Sequence, residues 1–272
     1  MRRLAVLGFP VGFSRSPAIH NAAFAALGMD GEWSYEAIEV SPDQFERRVQ
    51  EMPGEGFVGA NVTVPHKGAA LLVSDRRSGV AREIGAANTL TFREGETRAD
   101  NTDAQGLMES LPGSAAGRRA LVLGAGGAAR AVVWALTREG AEVSVWNRTP
   151  KRAEQLCAEL GGKVDSKPAA GKYDLIVNST SVGLRGEDPF AELPLSSDWF
   201  GFSQTVVDLV YGERESKLLN VAGEAGAEVV DGLEVLVRQG AAAFRIWTGI
   251  DPPIDVMREA AGAGSPLAGP NS

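Results

Sequence analysis

Ala120-Leu121-Val122-Leu123-Gly124-Ala125-Gly126-Gly127-Ala128-Ala129 is the stretch that decides the fold. Four apolar residues in a row suit a parallel strand covered on both faces. The glycine run matches G-x-G-x-x-G/A and opens a helical pattern that continues through Thr137. A tight turn alone is the bland reading, and the full strand–turn–helix context favours a dinucleotide site. There the glycines let the backbone approach a pyrophosphate, and the helix N-terminus offers N–H groups and positive potential. Gly124, Ala125, Gly126, Gly127 and Ala128 are the expected contacts.

Downstream the pattern repeats. Glu142 to Trp146 reads as a strand, Pro150 to Leu160 as a helix, and 174–178, 205–209 and 228–230 as further strands. The second strand ends at Asn147-Arg148-Thr149-Pro150-Lys151-Arg152. An NAD site commonly carries an acid here to hold the ribose 2′-hydroxyl. This loop has no acid and three cations, and arginine pairs well with a phosphate. The expected cofactor is therefore NADP, with Asn147, Arg148, Thr149 and Arg152 among its contacts.

Upstream lies a second α/β pattern. Leu4 to Gly8, Trp33 to Val40, Val58 to Val64 and Asn88 to Arg93 read as strands. Helices are expected at 17–27 behind a Ser16 cap, at 41–52 capped by Ser41, at 65–73 and at 78–84. Strand and helix alternate, so the sheet is expected to be parallel or mixed, with helices on its faces. Ala104 to Leu111 reads as a connecting helix, and Leu233 to Trp247 as a long one. The expected architecture is two α/β domains with a cleft between them. Residues 1–103 form a substrate domain, to which helices within 238–260 return, and 104–237 form the doubly wound nucleotide domain. Residues 261–272 are small and Pro-rich, as in a disordered tail.

Within the first domain, Gly59-Ala60-Asn61-Val62-Thr63-Val64-Pro65-His66-Lys67 runs from a strand into a helix. Alternation puts Val58, Ala60, Val62 and Val64 on one face, and Gly59, Asn61 and Thr63 on the other. Pro65 suits a first helical turn. Lys67 then sits in that turn, where the helix dipole disfavours a cation. A solvated lysine is the bland alternative; a catalytic lysine at the end of a sheet strand is the sharper one. Ser14, Ser16, Asn88, Asn101 and Asp103 also lie in short polar loops, where caps and turns are the ordinary use of such residues.

Composition narrows the classes. The 272 residues carry a formal net charge of −8 and are 44% apolar. With no long basic block, nucleic-acid binding is not expected. His20 and His66 are the only histidines, and Cys157 is the only cysteine. A zinc site is thus poorly supplied, no metal is expected, and an intrachain disulfide is impossible. No apolar run reaches membrane-spanning length. The expected setting is cytoplasmic, with no membrane partner.

Together these motifs resemble the shikimate dehydrogenase family. Phe13-Ser14-Arg15-Ser16-Pro17-Ala18-Ile19-His20-Asn21, Asn61 to Lys67, Gly85 to Leu90 and Asn101-Thr102-Asp103 carry the resemblance in the first half. Asn147-Arg148-Thr149, Asn178 to Gly183, Asp208 to Tyr211, Gln239 and Phe244 to Gly249 carry it in the second. The resemblance implies NADPH-dependent, reversible reduction of 3-dehydroshikimate to shikimate by a monomer or homodimer. It implies Lys67 and Asp103 as the catalytic pair. It also implies substrate contacts from Ser14, Ser16, Thr63, Asn88 and Gln239, with Asn61 and Tyr211 nearby, and Leu209 and Gly232 bordering the nicotinamide. Three positions depart from the family pattern: Phe13 stands for a histidine, His66 for a common phenylalanine, and Tyr211-Gly212-Glu213 for Tyr-x-Pro. A quinate or quinate/shikimate dehydrogenase and a non-catalytic ligand-binding homologue are the alternatives. The first would favour an acid in the Asn147 loop and a threonine at Ser16, and the second would have lost Lys67 or Asp103.

Overall fold

The computed structural model describes residues 1–212 and 216–262. In chain order the main elements begin with β1 (Arg2–Gly8), α1 (Ser16–Ala26), β2 (Trp33–Glu39), α2 (Phe45–Glu51), β3 (Phe57–Val62) and α3 (Lys67–Leu72). Then come β4 (Arg76–Arg77), α4 (Gly79–Ile84), β5 (Thr89–Arg93), β6 (Glu96–Asp100), α5 (Asp103–Ser110), β7 (Arg119–Leu123), α6 (Gly127–Arg138) and β8 (Glu142–Trp146). The chain continues with α7 (Pro150–Leu160), β9 (Lys163–Val164), β10 (Leu175–Asn178), α8 (Pro189–Glu192), β11 (Thr205–Asp208), α9 (Lys217–Glu224), β12 (Glu228–Asp231), α10 (Gly232–Thr248) and α11 (Ile254–Ala260). It divides into two compact units. The first comprises Met1–Gly106 and the chain from Leu236 onward, and the second comprises Leu107–Val235. The boundaries fall inside α5 and α10.

The first unit holds a six-stranded sheet in the order β2-β1-β3-β5-β6-β4. Its pairing is mixed: β1 runs parallel to β2 and β3, whereas β5 is antiparallel to both β3 and β6. On one face Ala5, Leu7, Ala60 and Val62 pack with Phe45, Val49 and Leu90. On the other, the Trp247 indole of α10 lies over Gly59 and donates from Nε1 to Leu90 O at 3.0 Å. A Cβ at Gly59 would run into that ring, so glycine here is a packing requirement. Phe24, Phe244, His20, Tyr35 and Trp247 complete an aromatic cluster on α1, β2 and α10.

The second unit holds a fully parallel sheet in the order β12-β11-β10-β7-β8-β9. This is the doubly wound order, reversing at β7 and β10, and ligands of such sheets bind outside the strand C-termini at the reversal. Ala120, Leu121, Val122 and Leu123 are all fully buried, as a strand covered on both faces requires.

Several local expectations need correction. Val64–Pro65 is a cis peptide in a turn, β3 ends at Val62, and Val64 is 62% exposed rather than on the core face. His66 N donates to Thr63 O at 2.9 Å, and this turn delays the helix until Lys67, with His66 as its N-cap. Ser16 is the first helical residue, not the cap; Arg15 is at the N-cap, and Ser14 Oγ accepts from Ser16 N. α2 starts at Phe45 because residues 42–44 form a turn closed by Gln44 N donating to Ser41 O. β4, β6, β9, α8 and α9 have no counterpart in the sequence expectation. Of the segment expected to be a tail, Ala261 is buried and Gly262 closes a turn; residues 263–272 lie outside the described residues, as does Glu213.

Candidate functional site

The N-terminal residue of α3 is Lys67, whose Nζ donates to Asp103 Oδ2 at 2.6 Å. The two side chains are 13% and 18% exposed, so the pair is partly withdrawn from solvent yet open to a ligand. Its backbone is fixed as well: Ala87 N donates to Lys67 O at 2.9 Å. Gly85 allows this approach, because its left-handed φ of 71° ends α4 and turns the chain back toward β5.

Asp103 opens α5. Asn101 Oδ1 accepts from Asp103 N at 3.1 Å, and Asn101 Nδ2 donates to Ala86 O at 3.0 Å. Asn101 is therefore a cap and a loop clamp, the bland use of its residue type. The centre of the network is Asn88, which is 2% exposed. Its Nδ2 lies 2.9 Å from Thr102 Oγ1, 2.9 Å from Asp103 Oδ1 and 3.0 Å from Gln239 Oε1. Its Oδ1 accepts from Thr102 N at 2.7 Å. Gln239, on α10, is held in turn by donating to Leu236 O at 2.8 Å. The Gly106 backbone lies against Gln239 so closely that a Cβ there would sit 2.7 Å from Gln239 N.

Asn61 is nearly buried, and its amide is committed within the protein. It accepts from Tyr35 Oη at 2.8 Å and donates to Asn88 O at 3.1 Å and Thr89 Oγ1 at 3.2 Å. Thr63 follows in the same strand direction, half-buried, with its methyl over Gly8. Ser14 is half-buried and Ser16 buried at the start of α1. His66, the rival proton donor by sequence, has its ring turned into the core: Nε2 meets Val40 O at 2.7 Å and the ring stacks on Phe45 at 4.5 Å. Burial lowers its pKa. Thr102, Thr89 and Tyr35 are network members that the sequence reading did not single out. The first two adjoin motif residues, which was the available signal, whereas nothing in sequence ties Tyr35 to Asn61.

In the second unit, Gly124 ends β7 with φ 112°, and a Cβ there would meet Ser179 Oγ at 3.0 Å. Gly126 is the N-cap of α6, no side chain caps that helix, and a Cβ at Gly126 would point into open space. A helix end of this kind has N–H groups to offer an anion. Ala125, Gly127 and Ala128 are half-buried around it. Arg148 and Thr149 are exposed on the turn after β8, Arg152 is exposed in the first turn of α7, and Asn147 Nδ2 donates to Thr149 O at 2.9 Å. Gly232 packs against the 208–209 backbone, with a Cβ there 2.7 Å from Asp208 O, so Leu209 and Gly232 are neighbours. Asp208 accepts from Asn178 Nδ2 at 2.9 Å and from Ser216 Oγ at 2.6 Å, and burial pushes its carboxyl up to about 6. Tyr211 is half-buried in this unit. Among the described residues no group of three or more His, Cys, Asp or Glu could hold a metal, and no helix is long and apolar enough to cross a membrane.

A glycine corner at the reversal of a parallel sheet, in a chain whose other unit carries a buried amide network and a lysine–aspartate pair, describes a nucleotide-linked α/β oxidoreductase. The sequence model of the shikimate dehydrogenase substrate binding domain matches residues 6–90, that of shikimate/quinate 5-dehydrogenase matches 106–183, and that of the shikimate 5′-dehydrogenase C-terminal domain matches 232–261. The shikimate dehydrogenase (NADP(+)) of Methanocella arvoryzae is 44% identical over 268 residues, covering 94% of this chain and 96% of the relative. The crystal structure of shikimate dehydrogenase from Aquifex aeolicus matches with a TM-score of 0.89 at 38% identity, covering 96% of this chain and 97% of that one. That of the Thermus thermophilus enzyme, in complex with NADP(H) and shikimate, has a TM-score of 0.88 at 44% identity, covering 97% and 99%. The chain belongs to the shikimate dehydrogenase family.

Proposed function

We propose that this protein catalyses the NADP-linked interconversion of 3-dehydroshikimate and shikimate, with Lys67 and Asp103 as its acid–base pair. The observation that carries the reading is the 2.6 Å Lys67–Asp103 contact, tied through Asn88 to Gln239. When bound, NADPH supplies the hydride. As a ketone is reduced its oxygen gathers negative charge, and the Lys67 ammonium stabilises that charge and delivers the proton. Asp103 orients Lys67 and balances its charge. Asn88, Gln239, Thr63, Ser14 and Ser16 offer amides and hydroxyls to a small polyhydroxylated acid, and Asn61 serves by holding the Asn88 loop. Tyr211 is a further substrate contact that the family resemblance implies.

The residues present fit a dinucleotide. The open space above Gly126 is a cradle that a side chain would fill, and the helix end beneath it suits a pyrophosphate. Arg148 and Arg152 suit a 2′-phosphate, with Asn147 and Thr149 shaping the turn that leads into α7. The test is oxidation of shikimate followed at 340 nm with NADP, beside NAD and beside quinate. Shikimate with NADP is expected to give the highest kcat/KM. Preference for NAD would overturn the cofactor assignment, preference for quinate the substrate, and tight binding without turnover the enzyme reading itself.

A further inference from the structure

His20-Asn21 belongs to the serine motif yet has no part in the chemistry above. Both converge on one residue, Tyr35. Asn21 clamps the backbone of Tyr35 in both directions, donating to Tyr35 O at 2.8 Å and accepting from Tyr35 N at 2.9 Å. His20 lies flat on the Tyr35 ring, with centroids 4.3 Å apart and planes 3° from parallel. His20 is fully buried, and neither of its ring nitrogens has a hydrogen-bond partner. A histidine so placed is not there for a polar contact of its own; it acts as a flat slab against the ring.

With its backbone clamped and its ring stacked, Tyr35 donates from its hydroxyl to Asn61 Oδ1 at 2.8 Å. That bond fixes the rotation of the Asn61 amide, and so aims its Nδ2 at Asn88 O and Thr89 Oγ1. Asn88 carries the contacts to Asp103 and Gln239. We infer that Tyr35, clamped by His20 and Asn21, is a positioning residue that acts through Asn61 to set the Asn88–Asp103–Gln239 constellation. This rests on the proposed shikimate reaction for its kinetic readout, but the mechanical link stands on the hydrogen bonds alone. An amide buried with one partner removed can rotate to satisfy itself elsewhere, so the loss is one of aim as much as of stability.

The test uses Tyr35→Phe, which keeps the ring and its stack and deletes only the hydroxyl. The expected loss of kcat/KM for shikimate is about tenfold, with the KM for NADP unchanged. In an Asn61→Ala background, Tyr35→Phe is expected to cost less than about twofold more, because its route is already cut. A purely structural role would instead multiply the two losses. Amide hydrogen exchange gives a readout free of turnover. Val62 N donates to Asn88 O and Asn88 N to Asp100 O, and both are expected to exchange several-fold faster in Tyr35→Phe. Kinetics within twofold of the unaltered protein, full multiplication of the losses, or unchanged exchange at Val62 and Asn88 would each overturn the inference. If the unaltered protein failed to oxidise shikimate, the proposed function would fall, and the exchange data alone would decide the positioning role.

Discussion

In the first unit, one buried amide, Asn88, lies within 3.0 Å of Thr102, Asp103 and Gln239. In the second, the candidate site turns on Gly126, where a side chain would meet nothing, and on arginines standing exposed at the turn after β8 and the start of α7. One unit builds with side chains that hold one another; the other builds with backbone and empty space. The difference suits the tasks proposed for the two units. Proton delivery demands a few groups aimed at one oxygen, and preorganisation comes from locking each side chain with its neighbours. A pyrophosphate is met well enough by a helix end and a close backbone, and the choice between NADP and NAD is left to a side-chain charge on a flexible stem. Substitution in the first unit is therefore expected to strike kcat, and in the second to strike the KM for the cofactor.

The sharpest attempt to break this contrast is Lys67→Ala. It is expected to lose about 3 kcal/mol or more of transition-state stabilisation, a hundredfold or more in kcat, with a modest change in the KM for shikimate. A variant that kept near-normal kcat in steady-state assays would remove Lys67 from the chemistry.

Next comes a pair of glycines. Gly126→Ala has room in the protein itself and is expected to leave the thermal midpoint nearly unchanged, while raising the KM for NADP about tenfold, roughly 1.4 kcal/mol. Gly124→Ala, at φ 112° and against Ser179, is expected to cost about 1–2 kcal/mol of stability instead. Thermal melts beside cofactor titrations separate the two, and equal behaviour would erase the distinction between a ligand glycine and a folding glycine.

A last contrast lies in pH dependence, which has opposite signs in the two units. Burial lowers His20 from 6.5 to about 3, so the unfolded chain takes up this proton first, and stability is lost as pH falls through that window. Burial raises Asp208 from 3.8 to about 6, so the folded form takes up the proton first, and its contribution is present at low pH and lost as pH rises through 6. Each gives a slope of up to about 1.4 kcal/mol per pH unit between pH 4 and 6. Denaturant midpoints are expected to fall less steeply on acidification in His20→Phe and more steeply in Asp208→Asn. Parallel curves for both variants and the parent would refute the assignment of either group.

In the parallel unit the elements around the glycine corner were legible, whereas β9, α8 and α9 were not. β7 is apolar from Ala120 to Leu123, as a strand buried on both faces must be, β8 alternates Val143 and Val145 with polar Glu142 and Ser144, and Pro150 marks the start of α7. The first unit hid β4 and β6. β6 alternates the charged Glu96, Arg98 and Asp100 with Thr97 and Ala99, but its one apolar residue is too little to mark a strand, and pairing with β5 holds it. The turn at 63–66 defeated the local reading of Pro65, because the bond from His66 N to Thr63 O is set by the chain around it rather than by proline's preference. At the candidate site, Lys67 was legible as an odd choice for its position and Gly126 from its motif, whereas Asp103 read locally as a turn or cap residue and was paired with Lys67 only by the family resemblance. The hydrogen bonds that tie Lys67 and Asp103 to Asn88 and Gln239 were not legible.

By itself the sequence determined two α/β patterns, a glycine corner, a loop of cations without an acid, and a set of loop hydroxyls and amides. Those are local properties, carried by side-chain period, by the conformational freedom of glycine and by charge. Tertiary structure alone decided that Gln239 reaches Asn88 across 151 positions, that His66 turns inward, and that Tyr35 aims Asn61, and it gave the Lys67–Asp103 pair implied by the family resemblance its geometry. Contacts at such separation leave no period or spacing in the chain, because they exist only once the sheet order and the seat of α10 have brought distant residues together.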